Sequence, residues 1–265
     1  MNTTITYYKS PIDLLAELGI EQPDEIDIEA IAQHCGATVT EEPLSGCEAR
    51  IVGSGNQAII TVNSSSSVPR RRFSAGHELG HWLCDRGCIS FGCTANSFVT
   101  EWSEHNPERR ANRFAAELLL PKSMFEPAAQ GKPIVVDTAK ALAETFRSSL
   151  TATCIRLVEC GSFPSLIVCT KEGQRKWFSR APSVPRELWP NEVVGNSTLA
   201  YKLAQAQGIT GPIEVDADEW ISHKESSNYM IVEDSFRMEN GFIISLLWWR
   251  DEAQLSDLLD EEESE

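Results

Sequence analysis

The pattern of apolar and polar positions divides the chain into a mixed first half, a helical middle and a β-rich final part. Apolar residues recur at helical spacing in two short segments, 10–19 and 27–36, and each segment ends at a glycine, which is a common helix stop. Three short β segments bounded by turn residues then follow, at 37–41, 48–52 and 58–62. This order predicts an α+β fold in which a small sheet lies beside the helices.

A longer helix is predicted from Pro69 to Asp85, which runs without an interior proline. Positions at i, i+3 and i+4 spacing share one face of such a helix. That face carries Phe73, His77, Gly80, His81 and Cys84. Gly76 and Gly80 each lower the helix propensity by about 1 kcal/mol, so their presence indicates that a backbone or a metal approaches closely there.

The segment His77-Glu78-Leu79-Gly80-His81 is an H-E-x-x-H motif. Two histidines four positions apart lie on one helix face and can offer two imidazole nitrogens to one metal ion. Glu78 can reach a water molecule beside such a metal and act as its general base. The alternative is a core helix with two hydrogen-bonded histidines, because so short a pattern also occurs by chance.

A second helix is predicted from Pro107 to Leu120, because Asn106 suits the N-cap and a proline suits the first helical position. Glu108 lies in its first turn, and Asn112 follows one turn later on the same face. Glu117 lies about half a turn away around the helix axis, so it cannot face the same metal as Glu108. We therefore expect Glu108 to be the third metal ligand and Asn112 to be a hydrogen-bonding group behind the ligands.

Together the two motifs resemble the ImmA/IrrE family of metallopeptidases. The second motif runs from Glu108 to Pro121 and fits the family's E-x-x-A-N-x-F-A-x-x-L-L-x-P pattern. The resemblance implies a zincin-like metallopeptidase domain in which His77, His81 and Glu108 bind one Zn²⁺ per chain. It implies that Glu78 is the catalytic acid/base. It also implies an endopeptidase that cleaves a helix-turn-helix transcriptional repressor and so derepresses stress-response or mobile-element genes.

Four residues around the gap between the two motifs carry other candidate chemistry. His105 either donates a hydrogen bond to a tetrahedral intermediate or lies on a surface loop, which is the favoured interpretation. Cys84, Cys88 and Cys93 do not have C-x-x-C spacing. We expect simple buried thiols, with a redox switch and a second metal site as the alternatives.

Residues 131–160 predict two short helices around a turn at 147–149, a helix-turn-helix segment. Its second helix either reads DNA or belongs to a helical pair that packs beside the catalytic domain or docks the substrate. The exposed face of that helix offers a single basic residue, Arg156. The packing interpretation is therefore favoured.

Residues 161–250 predict a C-terminal α+β module with hairpin signals. In some longer family members a GAF-like sensor domain follows the peptidase, and the β content here is compatible with one, although no ligand motif is visible. Its predicted core contains Trp177, Trp220, Trp248 and Trp249. The predicted organisation is a metallopeptidase domain at 1–130, the segment at 131–160, the module at 161–250 and an acidic tail at 251–265.

Charge and hydropathy exclude several classes of function. The 265 residues include 39 acidic and 23 basic side chains and carry a net charge of −16, which disfavours strong nucleic-acid binding. No apolar run approaches the ~18 residues of a membrane span, and the first residues lack a signal-peptide pattern. We therefore expect a cytoplasmic protein with mostly reduced thiols. The remaining alternative is a non-catalytic transcriptional regulator or partner-binding protein with a structural metal, which would need a fourth protein ligand.

Overall fold

The computed structural model describes residues 10–84, 92–93, 106–208, 210–224, 226–251 and 254–255. The chain divides into two compact units. Unit 1 comprises the described residues up to Met124 together with Glu144–Ser149, and unit 2 comprises Phe125–Ala143 and the described residues from Leu150 onwards. Both units contain helices and strands, which confirms the α+β class. The domain boundaries at residues 130, 160 and 250 stay predictions.

Unit 1 opens with two short helices, α1 (Pro11–Glu17) and α2 (Ile28–His34). Ser10 caps α1 by accepting the N–H of Asp13 at 3.2 Å, and Asp27 caps α2 by accepting two backbone N–H groups. These side chains satisfy donors that have no partner within the helix. Both helices therefore begin where their cap residues predict.

Unit 1 also contains a four-stranded sheet. Its strands are β1 (Ala37–Glu42), β2 (Ala49–Ser54), β3 (Gln57–Asn63) and β4 (Gly92–Cys93). They lie in the order β1-β3-β2-β4, with β1 parallel to β3 and the other pairs antiparallel. Ala58, Ile60 and Val62 alternate along β3 and are buried in the core of unit 1, as the two-residue period of a strand requires. The three strands predicted from the sequence are thus observed.

Helices α3 (Val68–Cys84) and α4 (Pro107–Leu119) pack against each other, and α3 also packs on the sheet. Leu79 of α3 and Leu118 of α4 are fully buried in the shared core. The side chain of Asn106 caps α4 by accepting the N–H of Glu108 at 2.9 Å. A further helix, α5 (Lys122–Ala129), follows α4.

The predicted close approach at the α3 glycines is observed. A Cβ atom at Gly80 would lie 3.0 Å from the Cα of Ala111 and 3.1 Å from the Cβ of Phe114. At Gly76 the nearest atom would be the Cβ of Ala115, at 3.3 Å. The absence of side chains at these two positions therefore lets α4 lie directly against α3.

Gly80→Ala is expected to destabilise the protein more than Gly76→Ala, by about 1–2 kcal/mol of unfolding free energy. Both changes raise the helix propensity by about 1 kcal/mol, but only the first forces a methyl group against the backbone of α4. Urea unfolding of the two variants measures the difference. Equal stability of the two variants would show that the helices separate without cost.

The middle of the chain forms two helices, α6 (Val136–Phe146) and α7 (Leu150–Cys160). Helix α7 packs against the sheet of unit 2. Its buried side chains are Thr153, Cys154, Leu157 and Val158. Arg156, the one base expected on its exposed face, is less exposed than predicted, because only 11% of its side-chain surface is accessible. Its Nη1 atom lies 3.5 Å from Oε2 of Glu159. A role for the two helices α6 and α7 in DNA contact or substrate docking stays a prediction.

Unit 2 is built on a five-stranded antiparallel sheet in the order β6-β5-β11-β10-β8. Its strands are β5 (Ser165–Lys171), β6 (Gln174–Arg180), β8 (Ile213–Asp216), β10 (Met230–Arg237) and β11 (Ile243–Trp248). A short ladder pairs β7 (Trp189–Pro190) with β9 (Ile221–Ser222), and helix α8 (Leu199–Ala204) contacts β10 and β11. The two predicted hairpins correspond to β5–β6 and β10–β11.

The tryptophan core predicted for this module is only partly correct. Trp220, Trp248 and Trp249 are buried, but Trp177 is 37% exposed. Trp177 lies in β6, an edge strand with few buried side chains. An edge strand leaves more of its side-chain surface in contact with water, so this indole contributes less to the core.

The buried acid Glu233 joins strand β10 of unit 2 to helix α8 and to the indole of Trp220. The carboxylate of Glu233 in β10 accepts the N–H groups of Leu199 and Ala200 at 2.8 and 2.7 Å. It also accepts the indole N–H of Trp220 at 3.1 Å and the hydroxyl of Ser235 at 2.8 Å. Burial raises the pKa of Glu233, and the four donors oppose that rise by stabilising the charged form.

Ionisation of Glu233 is expected to make the protein less stable as pH rises. Because its pKa is raised, the folded chain holds this proton more tightly than the unfolded chain, and that stabilisation is lost between pH 4.5 and the folded pKa. Over this range the unfolding free energy of the wild type should fall relative to that of Glu233→Gln, measured by urea titration. A relative stability that is constant or rises with pH contradicts this expectation.

Candidate metal centre

Helix α3 presents two histidines one turn apart, and both are buried. The Nε2 atoms of His77 and His81 are 3.1 Å apart, and the two rings meet edge to face with centroids 4.7 Å apart. Each histidine is 7% exposed. The i, i+4 spacing therefore brings two imidazole nitrogens to one enclosed point.

Helix α4 brings a carboxylate to the same point. Oε2 of Glu108 lies 3.3 Å from Nε2 of His77, and Oε1 lies 3.3 Å from Nε2 of His81. The ligand atoms of the three residues all lie within 4.8 Å of one another. Neighbouring ligands of a tetrahedral zinc ion are about 3.4 Å apart, given metal–ligand distances near 2.1 Å. The arrangement therefore fits one divalent cation.

The second nitrogen of His77 is held by α4. Nδ1 of His77 lies 2.9 Å from Oδ1 of Asn112. An amide oxygen can only accept, so Nδ1–H of His77 donates this bond and leaves the Nε2 lone pair towards Glu108. Asn112 thus fixes both the tautomer and the orientation of the ring, as expected of a group behind a metal ligand.

The surroundings keep His77 neutral. Burial lowers the pKa of His77, and the neighbouring His81 lowers it further, whereas Glu108 and the hydrogen bond to Asn112 act in the opposite direction. A neutral imidazole has the lone pair that coordination requires. The site is therefore ready to bind a metal without first losing a proton from His77.

Residue Glu78 of α3 is fully buried, and both of its carboxylate oxygens are enclosed. It directly follows the first histidine in the helix. A buried carboxylate is costly unless it is stabilised or used, and acids of this kind concentrate at functional sites. Glu78 is therefore a fully buried acid that lies next in sequence to the first histidine of the cluster.

Comparison with known proteins identifies the family. Residues 32–158 match the family Peptidase M78, described as IrrE N-terminal-like domain. This region of the chain is a domain of the ImmA/IrrE family. The matched region contains the two histidines and Glu108, so the predicted resemblance is confirmed and indicates a metallopeptidase-type domain.

Structural similarity extends the comparison beyond the ImmA/IrrE domain. A Mycobacterium tuberculosis transcriptional regulator has a similar fold, with a TM-score of 0.60 and 16% sequence identity over 96% of this chain and 79% of the other. No curated protein sequence matches the chain. In the described part of the chain, no helix has the length and apolar character needed to cross a bilayer.

The other candidate residues of the sequence are only partly described. Glu117, which the helix period places about half a turn from Glu108, accepts the backbone N–H of Lys122 at 3.0 Å. Cys84 is half-buried in unit 1. His105, Cys88 and the side chain of Cys93 lie outside the described residues, so their roles stay predictions.

Proposed function

We propose that this protein is a zinc-dependent endopeptidase that cleaves a helix-turn-helix transcriptional repressor and thereby derepresses stress-response or mobile-element genes. The proposal depends on one observation, the convergence of His77, His81 and Glu108 on a point where their ligand atoms lie within 4.8 Å of one another. The match of residues 32–158 to the ImmA/IrrE family supports the hydrolytic chemistry. The substrate is inferred from the family resemblance.

The donor set favours a catalytic site over a structural one. Two imidazoles and one carboxylate are the ligands of catalytic zinc sites, which keep one coordination position open, whereas structural sites use four protein ligands. Within the described ranges the cluster consists of His77, His81 and Glu108. This composition leaves a position for a water molecule or the substrate carbonyl.

The roles of the protein groups follow from their positions. When bound, zinc supplies Lewis-acid chemistry that polarises the scissile carbonyl. Glu78 accepts the proton of the attacking water and then delivers it to the leaving amine. Asn112 holds the ring of His77 through Nδ1, and the enclosure of Glu78 strengthens its electrostatic interactions by excluding bulk water.

The sheet of unit 1 offers a place for an extended peptide. Among the described residues, strand β4 pairs with Ala49 and Arg50 of β2. Within the described residues, the remainder of β2 from Ile51 to Ser54 pairs on one side, with β3. An extended substrate can add to such an edge through backbone hydrogen bonds. The alternative is a sheet that serves only as the scaffold for α3.

Cleavage should be tested by co-expressing the protein with candidate repressors, above all one encoded next to it, and mapping fragments by mass spectrometry. Fragments that appear with the wild type and not with Glu78→Gln would support the proposal. Intact repressors in the presence of metal-loaded protein would contradict it. The fragment masses also give the cleavage site directly.

The second candidate function is a non-catalytic transcriptional regulator with a metal that serves only its structure. It is favoured by the fold shared with a protein whose name is transcriptional regulator, although a net charge of −16 opposes direct DNA binding. A gel-shift assay with wild type and His77→Ala separates the two. DNA binding that persists in both proteins, without cleavage of any repressor, would favour this function.

A further inference from the structure

Unit 1 contains a cavity of about 360 Å³ beside the N-terminal half of α3. Apolar side chains contributed by α2, the sheet and α3 form part of its lining: Ile28, Val39, Val62 and Ala75. Three arginines, Arg71, Arg72 and Arg147, also line it. A volume in this range is typical of sites for small molecules, and the apolar lining with a few cations indicates an amphiphilic ligand.

Among the described residues, the buried Arg72 has few hydrogen-bond acceptors. Arg72 is 7% exposed, and among the described residues its guanidinium donates one hydrogen bond, from Nη2 to the carbonyl of Ile26 at 3.0 Å. Its Nε is buried without an acceptor in the same part of the chain. A guanidinium carries five N–H donors, and an enclosed charge with so few acceptors is costly. Arg72 therefore stands to gain from an anion placed in the cavity.

A second cation lies close to the first. Burial lowers the pKa of Arg72, the positive charge of Arg147 lowers it further, and the carboxylate of Asp27 acts in the opposite direction. The two guanidinium groups therefore repel each other. Arg147 is exposed and has a left-handed backbone, with φ of 51°, a conformation that glycine or asparagine adopts more readily. This position therefore carries an arginine although the backbone conformation alone would favour a smaller residue.

The other charges around the cavity limit the charge of the ligand. Arg71 is already paired with Glu41, at 3.0 Å. Asp27 and Glu29 also line the cavity and are exposed, and Asp27 caps α2. These acids oppose a dianion such as phosphate more strongly than a monoanion. A single carboxylate matches the two available guanidinium groups best, because the planar fork of arginine fits carboxylate geometry.

We propose that this cavity binds a small monocarboxylate with a short apolar chain. The carboxylate lies between the guanidinium groups of Arg72 and Arg147. The chain packs against Ile28, Val62 and Ala75. This inference is independent of the peptidase function, since the cavity uses none of the metal-site residues.

Hexanoate is the probe for this site, and hexanol is its uncharged control. Titration of full-length, ¹⁵N-arginine-labelled protein by NMR is expected to shift an Nε–H resonance with hexanoate and not with hexanol. Arg147→Gln should weaken hexanoate binding at least about fivefold, since an exposed charge-assisted hydrogen bond is lost. Arg50→Gln, which removes an exposed positive charge outside the cavity, should leave the affinity unchanged. Arg147 is the preferred position because its side chain is exposed, whereas Arg72 is part of the core.

Measurements with and without metal separate this site from the metal centre. Binding that survives chelation of the metal and that depends on Arg147 supports the cavity. Three results would overturn the proposal: equal binding of hexanol and hexanoate, unchanged affinity in Arg147→Gln, or no binding at about 10 mM probe, a weak-affinity limit. None of these results bears on repressor cleavage, which is measured separately.

Discussion

Glu78→Gln is expected to lower the rate of repressor cleavage by about 10²–10⁴-fold, the usual contribution of a general base, while metal binding is retained. Glutamine keeps the size and the enclosed position of the side chain but cannot accept the proton of the attacking water. None of the three proposed ligands is altered. Single-turnover cleavage of the repressor, alongside the metal content of the purified variant, measures both expectations.

The matched control is Glu117→Gln on α4. This change also neutralises one acid, on the same helix as Glu108. Glu117 accepts the backbone N–H of Lys122 and is not among the clustered ligands. We expect cleavage at the wild-type rate. Metal-loaded Glu78→Gln that cuts as fast as this control would remove Glu78 from the mechanism.

Much of the candidate site was predictable because it depends on local helix geometry. The spacing of His77 and His81 requires a shared face, and the N-cap at Asn106 determines where α4 begins. The helix period favours Glu108 over Glu117 because nine residues are about two and a half turns, which places the two side chains on opposite sides of the helix. In the structure Glu108 lies at 3.3 Å from both histidines, while Glu117 is turned towards the start of α5.

Other features depend on contacts between residues that are far apart in sequence, and periodicity carries no information about them. The hydrogen bond from the N–H of Val136 to Asp234 joins residues 98 positions apart. The proximity of Arg72 and Arg147 likewise arises only when Glu144–Ser149 joins unit 1. The partial exposure of Trp177 follows from strand order, because only the observed pairing makes β6 an edge strand. Local patterns predict elements, whereas tertiary pairing decides which elements meet.

Glu108→Ala is expected to weaken zinc binding by roughly 10²–10³-fold. This is the share of one ligand when a zinc-binding free energy of about 10–16 kcal/mol is divided equally among four ligands. The carboxylate is the only negatively charged member of the cluster, so its loss removes both a ligand and the charge that balances the cation. Zinc affinity measured by competition with a chromophoric chelator gives the effect. Cleavage at limiting zinc should fall in parallel.

Substitutions at two other positions of α4, Asn112 and Glu117, distinguish the loss of a ligand from general damage to the helix. Asn112→Ala should reduce zinc affinity about 10–100-fold, because His77 loses the acceptor that fixes its tautomer. Glu117→Ala should leave the affinity unchanged. The expected loss of zinc affinity decreases in the order Glu108→Ala, Asn112→Ala, Glu117→Ala, because the involvement of the side chain in the cluster decreases in that order. If Glu108→Ala binds zinc as tightly as Glu117→Ala, another group completes the site and the proposed ligand set is wrong.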